Sequence, residues 1–213
     1  GQLHDGDSIG ISSPGSYVFS AVFDRPGHHE LILVSDKSSG FIISRDSHKQ
    51  TAAIYFSQKQ NAGFLKAAEL SIREKDVIIT DYDTASGIPL IHVFAPLQLD
   101  SNISGAVGIS ISADALNSIL LEQNDQNGLG YSGEVYVTGN DFLMRSQSRF
   151  QEQSVMKTLV KTNPTADVFA SNEGQMLGND YRGIPVLSSY SRLQIPGLDW
   201  AILAEIDKRE ALL

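Results

Sequence analysis

Two arginines in the stretch GEVYVTGNDFLMRSQSRF, residues 133–150, have the chemistry to hold an anion. A guanidinium fork meets a carboxylate through two parallel hydrogen bonds, so such a side chain beside apolar residues can line a hole for a small organic acid. On a strand over Phe142–Phe150, Phe142, Met144, Ser146, Ser148 and Phe150 would share one face. Leu143, Arg145, Gln147 and Arg149 would share the other. With that second face inward, Arg145 could grip a carboxylate, helped by Tyr136 or Tyr190. The plainer reading has Arg145 bracing its own loop through backbone carbonyls or Asp180. Both stand at this level.

A second constellation lies earlier in the chain: Arg45, Tyr55, Phe56, Asp81, Asp83, His92 and Phe94. Carboxylates beside aromatic rings suit a cationic amine, whereas Arg45 suits a carboxylate. Asp81 and Asp83 serve equally well as a turn-capping pair at a strand end. His92, in the run IPLIHVFAPL, also fits a core histidine with its ring nitrogens satisfied.

Other chemistries find little support. The chain has no cysteine, which removes disulfides, thiolate nucleophiles and cysteine-type zinc sites together. His28 and His29, with His4, Asp5 or Asp7, invite a metal reading. Adjacent residues on a strand point oppositely, however, and zinc needs three or four converging ligands, so no metal is expected. GYSGE narrowly misses a nucleophile elbow, with Glu134 where the last glycine belongs, and no partnered histidine follows. No catalytic set and no cofactor is expected of this segment. A net charge of −9 without a basic stripe argues against nucleic acid as a partner.

These residues need a frame to hold them. The 213 residues suffice for one large domain or two small ones, and no stretch reaches the ~18 apolar residues of a membrane span. The start GQLHDGDSIG lacks Met and the end AEIDKREALL stops in a helical pattern, so the chain reads as a piece of something longer. Residues 1–29 read as loop with a short strand near Tyr17–Phe23. ELILVSDKSSGFIIS reads as a hairpin, and AGFLKAAELSIRE as a helix with Phe64, Leu65, Ala68 and Ile72 on one face. Two strands around the turn TASG, the strand GAVGISIS and a helix after Ser112 complete the first half.

The second half repeats that order. It has a hairpin at 133–146, helical segments at Ser154–Lys161 and Ala166–Ala170, then the strands DYRGIPVLSSYSRL and LDWAILAEI and a last helix. On the final strand Trp200, Ile202, Ala204 and Ile206 form the expected buried face. Asp81-Tyr82 matches Asp180-Tyr181, Ile88-Pro89 matches Ile184-Pro185 and Ile111 matches Ile206, at offsets of 95 to 99 residues. The fold class is therefore α+β: two units, each an antiparallel sheet flanked by helices, with equivalent strands at Gly87–Leu97 and Gly183–Leu193. The polar stretch at 122–132 marks the boundary, giving units 1–122 (1–29 a loop-rich lead) and 123–213.

Four segments carry a resemblance. LGYSGEVYVTGNDFLMRSQSRF, DYRGIPVLSSYSRL and GLDWAILAEIDKREAL resemble the membrane-proximal half of double-Cache sensor domains, and SGAVGISISADALNSIL resembles the end of the membrane-distal module. These are tandem PAS-like modules outside the membrane in bacterial chemoreceptors, sensor histidine kinases and nucleotide cyclases. The resemblance implies a periplasmic or extracellular domain of a bacterial inner-membrane protein that senses a small organic acid or amine and signals through its C-terminal helix. It implies no enzyme in this fragment, though the full-length protein would be a sensor kinase, a cyclase or a chemoreceptor, and it leaves room for a homodimer there. The Arg-x-Trp-aromatic stretch of the family's amino-acid-binding subset is missing, because the one tryptophan is Trp200. It places the ligand in the distal module, beneath residues 50–76, with Asp81 and Arg45 as polar contacts. Alternatives are a module that docks a periplasmic ligand-carrier protein and, with less support, a hydrolase.

Overall fold

The computed structural model describes residues 9–10, 18–19, 29–35, 40–45, 51–56, 64–84, 87–99, 102–121 and 129–212. Most of the loop-rich lead, including His4, Asp5, Asp7 and His28, lies outside the described residues, as does most of the stretch expected as a linker. The chain divides into two compact units, Gly1–Ser112 and Ala113–Leu213, with the division ten residues earlier than the polar stretch indicates.

The first unit holds a small pair of strands, β1 (Ile9–Gly10) and β2 (Val18–Phe19), and one large sheet. That sheet is built from β3 (His29–Ser35), β4 (Gly40–Arg45), β5 (Thr51–Phe56), β6 (Ile78–Ile79), β7 (Leu90–Leu99) and β8 (Asn102–Ser112). All neighbours are antiparallel, in the order β5-β4-β3-β8-β7-β6. Helix α1 (Phe64–Glu74) buries Phe64, Leu65, Ala67 and Ala68, an apolar stripe at the 3.6-residue period, and beside it Ser71, whose hydroxyl donates to the Asp76 carbonyl at 2.6 Å. The stripe forms one cluster with Ile32, Val34, Phe94 and Ala106 of the sheet. Lys75 follows α1 with φ of 57°, the left-handed turn that commonly closes a helix. Gly108 is required here for a packing reason: a Cβ at that position would run into the Phe94 ring.

The second unit comprises α2 (Ala113–Leu120), β9 (Glu134–Gly139), α3 (Asn163–Ser171), β10 (Glu173–Asn179), β11 (Pro185–Arg192), β12 (Trp200–Asp207) and α4 (Lys208–Ala211). Its sheet is antiparallel with the order β10-β11-β12-β9. Thr162 caps α3 by accepting from the Thr165 amide, and Pro164 sits in the first turn, where its missing N–H costs nothing. The core gathers Tyr136, Met144, Val160, Val168, Tyr190, Ala201 and Leu203.

The order β3-β8-β7-β6 of the first sheet is the order β9-β12-β11-β10 of the second, so the repeat is a repeat of topology. Gly87 and Gly183 both have φ of 81° and both donate to the carbonyl three residues back, Thr84 and Asp180 respectively. The pair Ile91–Ile111 in one sheet is answered by Leu187–Ile206 in the other. The Asp-Tyr anchor is corrected: Asp180 occupies the turn position that Thr84 holds in the first unit, three residues beyond Asp81.

Three local expectations differ from the structure. Residues 142–150 do not form a continuous strand; they touch β9 at the single bridge Thr138–Met144, and Phe142 turns the chain at φ of 65°. Residues 154–161 form turns rather than a helix. On β12 the face in the core is Ala201, Leu203 and Glu205, while Ile202, Ala204 and Ile206 are half-buried on the other side. Trp200 is itself buried, at the start of the strand. Among the described residues no helix is long and apolar enough to cross a membrane.

Candidate functional site

In the first unit the α1 stripe lies on β7. The Phe64 ring stacks on Phe94 at 6.0 Å between centroids and meets the His92 ring at 5.6 Å. Phe94 is fully buried, and His92 is buried with Nδ1 2.9 Å from the Ser110 hydroxyl and Nε2 3.9 Å from an Asp83 oxygen. His92 and Phe94 therefore act in the core. Asp83 pairs with Leu90 through both backbone groups, and Asp81 takes the Tyr82 amide at 2.7 Å. Arg45 ends β4 opposite Thr51, while Tyr55 and Phe56 lie on β5 opposite Phe41 and Gly40; their side chains are outside the described set. Of the seven candidates, the structure thus brings His92 together with Asp83 and with Phe94.

The four candidates of the second unit separate into four arrangements. Arg145 is buried and folds back on its own turn, donating to both oxygens of Asp141 at 2.9 Å and to the Leu143 carbonyl at 2.8 Å. The Arg145 guanidinium holds the Asp141 carboxyl below its usual range, against the opposing effect of desolvation. The structure favours the brace, with Asp141 rather than Asp180 as its partner. Asp180 caps the β10–β11 turn, accepting from the Arg182 and Ile184 amides and from the Arg182 side chain at 2.6 Å. Tyr190 donates to Asp167 on α3 at 2.7 Å. Tyr136 is fully buried and donates to Glu205 at 3.0 Å.

That last contact opens onto a cluster that the sequence did not reveal. Glu134 and Glu205 face each other on β9 and β12, Ser188 lies opposite Glu205 on β11, and all three are buried. Glu134 accepts from the Arg149 amide at 2.7 Å and from the Tyr181 hydroxyl at 2.9 Å, and Tyr181 sits 2.6 Å from the Ser148 hydroxyl. Burial pushes the Glu205 carboxyl up to about 7, with the nearby charges of Asp180 and Glu134 adding to the rise. Tyr136 is raised by the same desolvation and by Glu205. At neutral pH Glu205 is thus poised between its acid and its anion. The available signal was a lone carboxylate in the strand pattern of WAILAEI, on the face with Ala201 and Leu203.

Around this cluster the exit of the chain is tied down. The Glu210 carboxylate accepts from the amides of Tyr131 and Ser132 at 2.9 Å each, and the Asp207 amide donates to the Ser132 hydroxyl at 3.1 Å. Among the described residues no group of three His, Asp or Glu side chains could hold a metal ion.

No family model and no curated protein matches the chain. Solved structures do. The periplasmic sensory domain of the Campylobacter jejuni chemoreceptor Tlp1 aligns at a TM-score of 0.61 and 15% identity, over 87% of this chain and 73% of that one. The extracellular domain of mmHK1S-Z3, a histidine kinase by assignment, gives 0.62 and 11% over 87% and 74%. The ligand-binding domain of the Pseudomonas aeruginosa amino acid chemoreceptor PctB, in complex with L-Arg, gives 0.53 and 16% over 85% and 72%. At these identities the likeness is one of fold: the chain has the two-module, PAS-like architecture of extracytoplasmic sensor domains.

Proposed function

We propose that the chain is the extracytoplasmic sensing domain of a bacterial transmembrane receptor, binding a small organic acid or amine. The observation that supports this reading is the repeated four-strand order of the two units, shared over most of the chain with sensory and ligand-binding domains. The ligand is assigned to the first unit. Arg45, Tyr55, Phe56, Asp81 and Asp83 remain its candidate contacts, because His92 and Phe94 serve the core. A mainly apolar hollow with a few convergent polar groups is what small-ligand recognition needs.

Signalling follows as a population shift, since a ligand moves an equilibrium only by its differential affinity for the two states. The moving element is β12 with α4, whose position the Glu210 tie to Tyr131 and Ser132 defines. The output domain would be a histidine kinase, a chemotaxis module or a cyclase.

A thermal-shift screen of amino acids, small carboxylates and amines tests the reading. A binder held at ~100 times its Kd adds about 2.7 kcal/mol of stability, a shift of several degrees. Silence across the screen, with capture of a ligand-carrier protein from periplasmic extract, would replace this reading with the docking module.

A further inference from the structure

We propose that the second unit carries a site of its own for a small primary amine with a short apolar body, between α2, β9 and residues 147–153. The proposal rests on the sensor reading and adds a second address with a stated ligand chemistry.

The site is a cavity of about 300 Å³, at the lower end of the range for small-molecule pockets. Its apolar walls come from Leu120 at the end of α2, from Leu121 just beyond it, from Leu129, and from Val135 on β9; its buried polar groups are Glu134 and Ser148. Glu134 decides the charge of the ligand. It is 2% exposed, and both of its hydrogen bonds come from neutral donors, the Arg149 amide and the Tyr181 hydroxyl. Among the described residues it belongs to no ion pair. Arg149 lines the cavity and the Arg182 charge acts on Glu134, but the hydrogen bonds of both guanidiniums go to other acceptors. Arg149 donates to the carbonyls of Gly130 and Gly133, and Arg182 to Asp180 and Asp207. A buried carboxylate without a direct ion pair is costly even with the Arg182 charge nearby, and an ammonium group entering the cavity lowers that cost.

The strand edge supplies the second polar contact. β9 is the outermost strand of its sheet, and Val137 turns its N–H and C=O away from β12, to the Ser146 hydroxyl and the Arg145 amide. Backbone direction alternates along an antiparallel strand, so Val135, two residues earlier and itself a lining residue of the cavity, directs its own carbonyl to that same open edge. An ammonium placed there donates to Glu134 and to the Val135 carbonyl, with its carbon chain on the leucines. Glu152, exposed at the rim, adds a second negative charge to the approach. A carboxylate ligand would meet Glu134 as a like charge. A neutral ligand would leave it without a direct ion pair.

Calorimetric titration of the 213-residue chain with n-butylamine, n-butanol and butyrate tests this. Saturable binding of the amine is expected, with the alcohol weaker by about tenfold or more and butyrate silent. Glu134→Gln should erase the preference for the amine. Because Glu134 also anchors Tyr181, Leu121→Arg gives an independent check: it keeps Glu134, fills the cavity from just beyond α2 with a competing cation and should weaken the amine by about tenfold. Equal affinity for amine and alcohol, full amine binding in Leu121→Arg, or no saturable response up to about 10 mM would overturn the proposal. A metabolite that binds and is lost in Asp81→Ala while butylamine finds no site would overturn this site and leave the sensor reading standing. No response to any small molecule would remove both.

Discussion

Glu205 shows how a single side chain can set a pH dependence. Its folded pKa of about 7 lies above the ordinary carboxylate value of 4.5, so the folded state holds the proton more tightly than the unfolded chain. Its contribution to stability is therefore greatest below 4.5, declines as pH rises and levels off above 7. Between pH 5 and 8 the protein should lose roughly 2–3 kcal/mol of stability from this group, read as a falling midpoint in urea melts. Asp141, Asp167 and Glu210 are shifted the other way and titrate below that window. Glu205→Gln should flatten the profile from pH 5 to 8, and an unchanged slope would show that another group carries it. None of this was legible beforehand. Alternation on WAILAEI counts in twos from any starting point, and starting from Trp200 selected the wrong face. Which face meets α3 depends on the register with β9 and β11, a long-range fact. Arg145 was legible as an alternative, since a buried guanidinium beside GND can either wait for a ligand or close its own turn.

Elements were read best where local rules and tertiary needs agree. The hairpin turns at Gly87 and Gly183 combine a positive φ with an Ile-Pro exit, and both signals are local. Residues 142–150 do not form a strand because their backbone groups are satisfied one at a time, by the Asp141, Asn117, Ser154 and Glu134 side chains and by bridges to 138 and 159, instead of by a ladder. The apolar and polar pattern looks the same in both cases. Two glycines separate conformational from packing constraints. Gly183→Ala adds a Cβ in open space at φ of 81° and should cost about 1 kcal/mol of backbone strain. Gly108→Ala must displace the Phe94 ring from the core and should cost about 2–3 kcal/mol. Equal losses in denaturant melts would mean that the Phe94 packing yields more readily than its burial implies.

At the scale of the whole molecule the repeat was visible because two copies of one unit leave anchors in the same order. Two of the three anchors mark equivalent positions, and the third is a coincidence of composition three residues out of step. The division between Ser112 and Ala113 was hidden, because a polar stretch signals a loop without saying which unit owns the helix before it. The ligand chemistry was hidden too: the expected site residues whose side chains are described divide between a packed core and separate local pairs, while the buried carboxylates come from strands some 70 residues apart in sequence. The central claim is that the first unit holds the regulatory small molecule and that Arg145 is structural. Calorimetry tests it directly, with a binder from the screen titrated into the parent chain, Asp81→Ala and Arg145→Ala. Asp81→Ala should weaken binding by about 1.5–3 kcal/mol, a charged hydrogen bond's worth, and Arg145→Ala should leave affinity unchanged. Full affinity in Asp81→Ala together with lost binding in Arg145→Ala would contradict the account.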